Sequence, residues 1–450
     1  MIKKFLFIII GMANILHATS LPECVHLLDR TSFGVERASL DACLDDPSYE
    51  RSVERLLQSS SASTEELLPE CAREILRPHK RLRELNATEL KAFRQLRQKR
   101  FRQTKLWWIR QLLKTGNPFR ERMVLFWHNH FTSSLKKVGQ PKLILRQNQL
   151  FRRYALGNFR LLLHAIVEDP AMLVYLDNRA NRKRHPNENL ARELLELFTL
   201  GEGHYREADV KALARALTGY TLDRQMHFRF NRRIHDTNPK AFLGQRGNFD
   251  AHQAVEIILE QNATARFIVG KLWKAFVGPE PEAGEIRRLA EIFRNSGYEM
   301  KPLLEAMFRS RPFTDPARYG TMVKSPLELV VGTLRSFGRK DFDPRIVLQY
   351  SRRLGQDPFD PPNVKGWEGG DAWIDANTLL IRKEFLARLI RGKGKLMQLD
   401  ETIFNNRRIA DTKEEAAARM LLPVRVFLTP ASRFDATLEA LLQHPLYQLK

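Results

Sequence analysis

Apolar residues recur three and four positions apart through nearly every long segment of the chain. "SVERLLQ", "LKAFRQLRQ", "KLWWIRQLLK", "PFRERMVLFWHNHF", "NLARELLELFTLG", "ADVKALARALTGY" and "TARFIVGKLWKAFVG" all keep this spacing, the period of a helix with one buried face. Gly116, Gly201, Gly219 and Gly297 each close such a run, as glycine does where a helix ends. Strand-type alternation is scarce, and "MHFRFN" at 226–231 is its best example. The predicted fold class is therefore all-α, a large irregular multi-helix array with long functional loops and at most a few short strands. Three irregular stretches, 178–189, 221–250 and 354–377, interrupt the helices, and long loops inside a compact protein tend to carry function.

The first twenty residues, "MIKKFLFIIIGMANILHATS", break the pattern. Lys3 and Lys4 precede a short apolar run, and Ala18-Thr19-Ser20 supplies small residues where a signal peptidase cuts. The expectation is a signal peptide over 1–20, and hence a periplasmic or secreted protein. An N-terminal core helix is the plainer alternative. Behind the leader we expect an N-terminal helical subdomain at 21–115 and a main helical domain at 116–450, packed together as one unit and monomeric. No later segment is apolar enough to span a membrane.

Charge adds a partner class. Lys and Arg number 74 against 52 Asp and Glu, a net +22, which favours acidic partners such as anionic glycans, lipopolysaccharide or lipid headgroups. No nucleic-acid module is visible and an exported protein seldom meets nucleic acid, so that partner is set aside. The densest positive charge lies in 77–105, with Arg94, Arg97 and Arg100 expected on a docking face, unless they only keep a helix surface wet. Cys24, Cys43 and Cys71 all fall near the N-terminus. Two of them can pair in an oxidising compartment and staple that region; spacing does not say which two.

The blocks "RTSFG" (30–34), "ERMVLFWHNHFTSS" (121–134), "LGNFRLLLHAIVEDPAMLVYLDN" (156–178), "NENLARELLELFTLGEGHYREADVKALARALTGY" (187–220), "FNRRIHDTNPKAFLG" (230–244), "ATARFIVGKLWKAFV" (263–277), "KSPLELVVGTLRSFG" (324–338) and "LGQDPFDPPNVKGWEGGDAWI" (354–374) together resemble the bacterial family known as domain of unknown function 1800. The resemblance covers almost the whole chain behind the leader. It implies an exported helical protein, with a co-exported partner of sulfatase-like or phosphatase-like fold encoded nearby. It implies no active site that can be carried over, so chemistry has to be argued from side chains.

Four places invite that argument. His128 and His130 lie one residue apart in "FWHNHF"; on a helix they point about 200° apart and cannot share a metal, whereas on an extended segment they can. Imidazoles at a helix C-terminus also suit the dipole with no further role. In "NENLARELLELFTLG", Asn189, Glu193 and Glu196 share a stripe with Arg192 beside it, either a solvated acidic face or carboxylates turned into a cavity that could hold a divalent metal. His235 and Asp236 in the long loop suit acid–base work, or an Asx-turn with a surface histidine. Trp367 and Trp373, among glycines, suit sugar rings or a plug for the core. No H-E-x-x-H, G-x-S-x-G or phosphate loop is present. The leading expectation is an enzyme, a hydrolase or metal-dependent catalyst acting on an envelope or extracellular polymer, with His128, His130, Glu193, Glu196, His235 and Asp236 as catalytic residues and Asn189, Arg192, Trp367 and Trp373 binding substrate. The alternative is a non-catalytic protein docking an anionic polymer or the co-exported partner.

Overall fold

The computed structural model describes residues 19–58, 67–391, 401–426 and 433–450. The expected leader lies, up to residue 18, outside the described residues; Ser20 caps the first helix, Leu21–Thr31, in a capping box with Glu23. The chain is 62% helical, with 21 α-helices and two tiny antiparallel strand pairs among the described residues. This is the all-α class that the periodicity predicts. One buried apolar cluster runs from Cys24 to Tyr447, and no helix among the described residues is long and apolar enough to cross a membrane.

At the centre lies the helix Pro326–Ser336, every residue of which is buried. Its N-terminus is set by Ser325, which caps the first turn in a capping box with Glu328. Halfway along, Gly332 lets the "RTSFG" turn approach: a Cβ on Gly34, whose φ is +74°, would overlap the Gly332 carbonyl. Gly34 has no room for a side chain, and a Cβ on Gly332 would press on the Gly34 nitrogen at 3.1 Å.

So many helices ending in the core leave many orphan carbonyls, and buried arginines satisfy them. Arg335 donates to the carbonyls of Leu112, Leu113 and Thr115 at 2.8–3.0 Å, closing the C-terminus of Ala87–Lys114, and pairs with Glu36. Arg30 likewise donates to Phe276 and Val277 at the end of Asn262–Phe276. Part of the basic excess is thus internal structure rather than a surface for partners.

"LKAFRQLRQ" and "KLWWIRQLLK" are read as separate segments by pattern, but they form one 28-residue helix, Ala87–Lys114. Its second half is buried through Trp107 and Trp108, while Arg94 and Arg97 on the first half are exposed. The 221–250 stretch holds the expected short strand, Phe228–Phe230, paired with Tyr220–Leu222. It also holds a hairpin that the pattern does not announce, Lys240–Phe242 with Gln245–Gly247. Cys24 and Cys43 form the disulfide; Cys71 is free and buried.

Candidate functional site

The helix Pro118–His130 continues through both histidines of "FWHNHF", so they take opposite directions and cannot chelate one ion. His128 points into the core. Its ring lies among Trp108 (4.6 Å), Phe151 (4.6 Å) and Phe359 (5.2 Å), and its Nε2 accepts from the Asn148 amide at 2.9 Å. Asn148 accepts in turn from Arg152, which forms a buried pair with Glu121. Burial, then the Arg152 charge, pushes the His128 pKa well below its usual value. Its ring packs among core aromatic side chains.

His130 faces the other way. Its Nε2–H donates to the Phe198 carbonyl at 3.0 Å, which leaves Nδ1 as a bare lone pair, and that atom has no partner among the described residues. Burial, then the nearby Lys271 charge, lowers its pKa to about 3. Between the two histidines, Asn129 clamps the 354–377 loop: its Nδ2 donates to the Trp367 carbonyl at 3.2 Å and its Oδ1 accepts from the Trp367 N–H at 2.6 Å. Gly366, at φ +88°, is required because a Cβ there would overlap the Asn129 side chain.

The clamped loop forms one wall of a cleft of about 550 Å³. Helix Pro118–His130 contributes Phe126, Asn129 and His130; the loop contributes Lys365, Trp367 and Trp373; helix Asn262–Phe276 contributes Lys271 and Lys274. At the inner end stands Glu328, held between Arg122 and Lys450. Burial opposes its charge, but Arg122 and then Lys450 hold its carboxyl below the usual range. Lys450 is in turn driven below the usual lysine range by burial and then by Arg122. Along the mouth, burial and then the like charges of Lys274 and Lys365 lower the Lys271 pKa. No carboxylate makes an ion pair with Lys271, Lys274 or Lys365 among the described residues.

The other expected site residues lie elsewhere or at the margin. Glu193 is half-buried; burial, then the Glu196 charge, raises its pKa, with Lys365 near enough to act against this. Glu196 accepts from the Tyr205 hydroxyl at 2.9 Å. Arg192 is bound to Glu188 (3.0 Å) and Glu207 (2.8 Å), and Asn189 is exposed at the start of its helix. His235 donates from Nδ1 to the Thr218 carbonyl at 2.7 Å and packs on Phe230. Asp236 accepts from Nε and Nη2 of Arg215, at 2.7 and 3.2 Å, and the bond to Arg215 keeps its pKa below the usual range. These two fix the loop to the helix Glu207–Ala216 and do not line the cleft. The six expected catalytic side chains are therefore not gathered in one pocket, and among the described residues no three His, Cys, Asp or Glu converge as a metal set. Pattern reading passes over Asn129, Lys271, Lys274, Lys365, Glu328 and Lys450. The spacing Lys271-x-x-Lys274 was the available signal, since it puts two amines on one helix face.

Three histidines whose pKa burial lowers, His26, His128 and His130, make one consequence measurable. His26 donates to the Phe313 carbonyl at 2.9 Å, and burial, then Arg30, lowers its pKa to about 3. Its usual value in the unfolded chain is 6.5, so between these values the unfolded chain binds the proton that the folded one refuses. Stability is then lost as pH falls below 6.5. For His26 alone the loss between about pH 7.5 and pH 5 is about 2 kcal/mol. Asp169 works the opposite way, its pKa raised to about 7 by burial, so whole-protein slopes mix the two. Urea unfolding of the parent and His26→Phe at both pH values isolates the histidine: the parent should lose about 2 kcal/mol relative to the variant. An unchanged difference would mean that His26 is protonated in the folded state.

Comparison with known proteins supplies a family and no activity. Residues 26–449 match the model of the family described as protein of unknown function (DUF1800), and the chain belongs to that family. No curated protein and no solved structure matches it.

Proposed function

We propose that this family member binds an anionic carbohydrate polymer in the cleft between helices Pro118–His130 and Asn262–Phe276, on the outer side of the cell membrane. One observation carries the reading: Lys271, Lys274 and Lys365 meet at a cleft also lined by Trp367 and Trp373, with no ion-paired carboxylate on any of the three amines among the described residues. Like charges that crowd one another are relieved by an anionic ligand; Trp367 and Trp373, both buried, form the wall behind the amines. The apolar leader supports export, where envelope and extracellular polysaccharides would be met.

The unpartnered Nδ1 of His130 favours a catalytic version of the same reading, since it could accept a proton from a bound hydroxyl. Its low pKa decides against that role. A general base works best with a pKa near the working pH, and one held at about 3 serves better as a fixed hydrogen-bond acceptor.

The test uses a defined acidic oligosaccharide, oligogalacturonate, with a neutral oligosaccharide as control. Replacing Lys271, Lys274 and Lys365 together by Gln should weaken binding at low ionic strength by at least about tenfold, or about 1.4 kcal/mol, and salt should weaken the parent in the same direction. Reversing Arg94, Arg97 and Arg100 to Glu should matter less, because Arg94 and Arg97 stand in open solvent away from the cleft and Arg100 is already paired with Glu74, so that each contributes little. Equal binding by the lysine variant and the parent would sink the proposal. A larger loss in the arginine variant would move the docking face to the exposed helix.

A further inference from the structure

A second constellation lies apart from the cleft. The helix Phe159–Ile166 carries His164, with Glu168 four residues on; the helix Ala251–Glu260 carries His252, with Glu256 four residues on. The pairs cross over. His164 donates from Nε2 to Glu256 at 2.6 Å, and His252 donates from Nε2 to Glu168 at 2.8 Å. The two Nδ1 atoms then face each other at 2.9 Å.

This geometry constrains the protons. An ionised carboxylate only accepts, so each Nε2 must carry hydrogen, and a neutral imidazole carries just one. With both rings neutral the two Nδ1 atoms are bare, and two lone pairs at hydrogen-bond distance repel unless a cation joins them; the Glu168 bond raises the His252 pKa, so the cation is either a proton or a metal ion. Imidazoles that ligate metals have just this support: the second nitrogen donates to a carboxylate, which fixes the tautomer and the ring.

We propose that His164 Nδ1 and His252 Nδ1 form a binding site for a divalent transition-metal ion, with water completing the coordination. At metal–nitrogen distances of about 2.0–2.1 Å, a 2.9 Å separation subtends about 90°. That angle belongs to tetragonal copper(II) or nickel(II), whereas zinc prefers a wider tetrahedral one. The rings are partly exposed, which leaves the remaining positions open to water. Of the surrounding charges, Glu168, Glu256 and Asp250 favour a cation, and Arg160, paired with Glu256 at 2.6 Å, opposes it. The balance is negative.

The experiment titrates the full chain with copper(II) alone and follows stoichiometry by equilibrium dialysis and ligation by electron paramagnetic resonance. One equivalent is expected, with hyperfine structure from two nitrogens, and His164→Ala or His252→Ala should abolish it. Glu168→Gln and Glu256→Gln keep both imidazoles and should weaken binding by about 10–100-fold, which preserves the test should an alanine variant misfold. Copper retained by both alanine variants, or unaffected by both glutamine variants, would overturn the proposal. So would a pair that takes up a proton on acidification but never a stoichiometric equivalent of metal.

Discussion

Replacing Glu328 by Gln should destabilise the protein by about 3–5 kcal/mol, the cost of removing one partner from a buried ion pair. Glu328 is 6% exposed and sits in the first turn of the fully buried helix Pro326–Ser336. One carboxylate oxygen serves both Arg122 and Lys450, and the other accepts from the Ser325 N–H at 2.6 Å. Without the carboxylate, both cations stay in the interior uncompensated. Lys450, whose pKa burial already depresses, can escape by losing its proton. Arg122 cannot, so most of the cost falls on it. The contribution of Glu328 has a defined pH window: its folded pKa lies below the usual 4.5, so the stabilisation is present above that value and fades as pH falls below it. Urea midpoints of the parent, Glu328→Gln and the double variant Arg122→Met/Glu328→Gln check the argument. The double variant should recover much of the loss, because the stranded charge is gone. A single variant within about 1 kcal/mol of the parent would show the pair to be as weak as a solvated surface bridge.

The helices were legible because burial of one face imposes a period on every segment, and segments such as "NLARELLELF" keep it without interruption. The fusion of 87–114 was not, because the apolar stripe of its exposed half is diluted by arginines while that of its buried half is not. The Lys240–Gly247 hairpin escaped for a local reason. Its turn places Leu243 and Gly244 at φ +46° and +84°, and leucine is not a residue that announces left-handed backbone.

The site was less legible than the fold. That His128 and His130 diverge follows from helical geometry; which of them faces the core depends on Trp108, Phe151 and Phe359, which arrive from three other parts of the chain. The Lys271-x-x-Lys274 spacing was a weak signal, since two amines on one helix face look like any wet surface until Lys365, far away in sequence, is brought beside them. His235 and Asp236 have the residue types of catalysis, but Thr218 engages Nδ1 of the imidazole and Arg215 both carboxylate oxygens. The two H-x-x-x-E spacings at 164–168 and 252–256 were visible, yet each alone reads as an ordinary i,i+4 pair. Only their crossing over between helices sets them apart.

Reduction of the Cys24–Cys43 bridge should lower stability by about 3 kcal/mol, the entropy that a cross-link closing a loop of about 20 residues removes from the unfolded chain. Both sulfurs are buried, and the bridge joins helix Leu21–Thr31 to helix Arg37–Asp45 across 19 positions. The first of these helices presents Arg30 to the end of Asn262–Phe276, the helix that carries Lys271 and Lys274. Loosening it should therefore also be felt at the cleft, as weaker acidic-oligosaccharide binding near the unfolding midpoint. A double Cys24→Ala/Cys43→Ala variant should match the reduced parent and be indifferent to reductant, because its remaining thiol, Cys71, is unpaired in the folded protein. If reductant lowers the stability of that double variant as much as the parent, the loss does not come from this bridge. A parent whose denaturant midpoint ignores reductant altogether would mean that the hydrophobic packing of the two helices already restrains the unfolded chain as tightly as the covalent bond does.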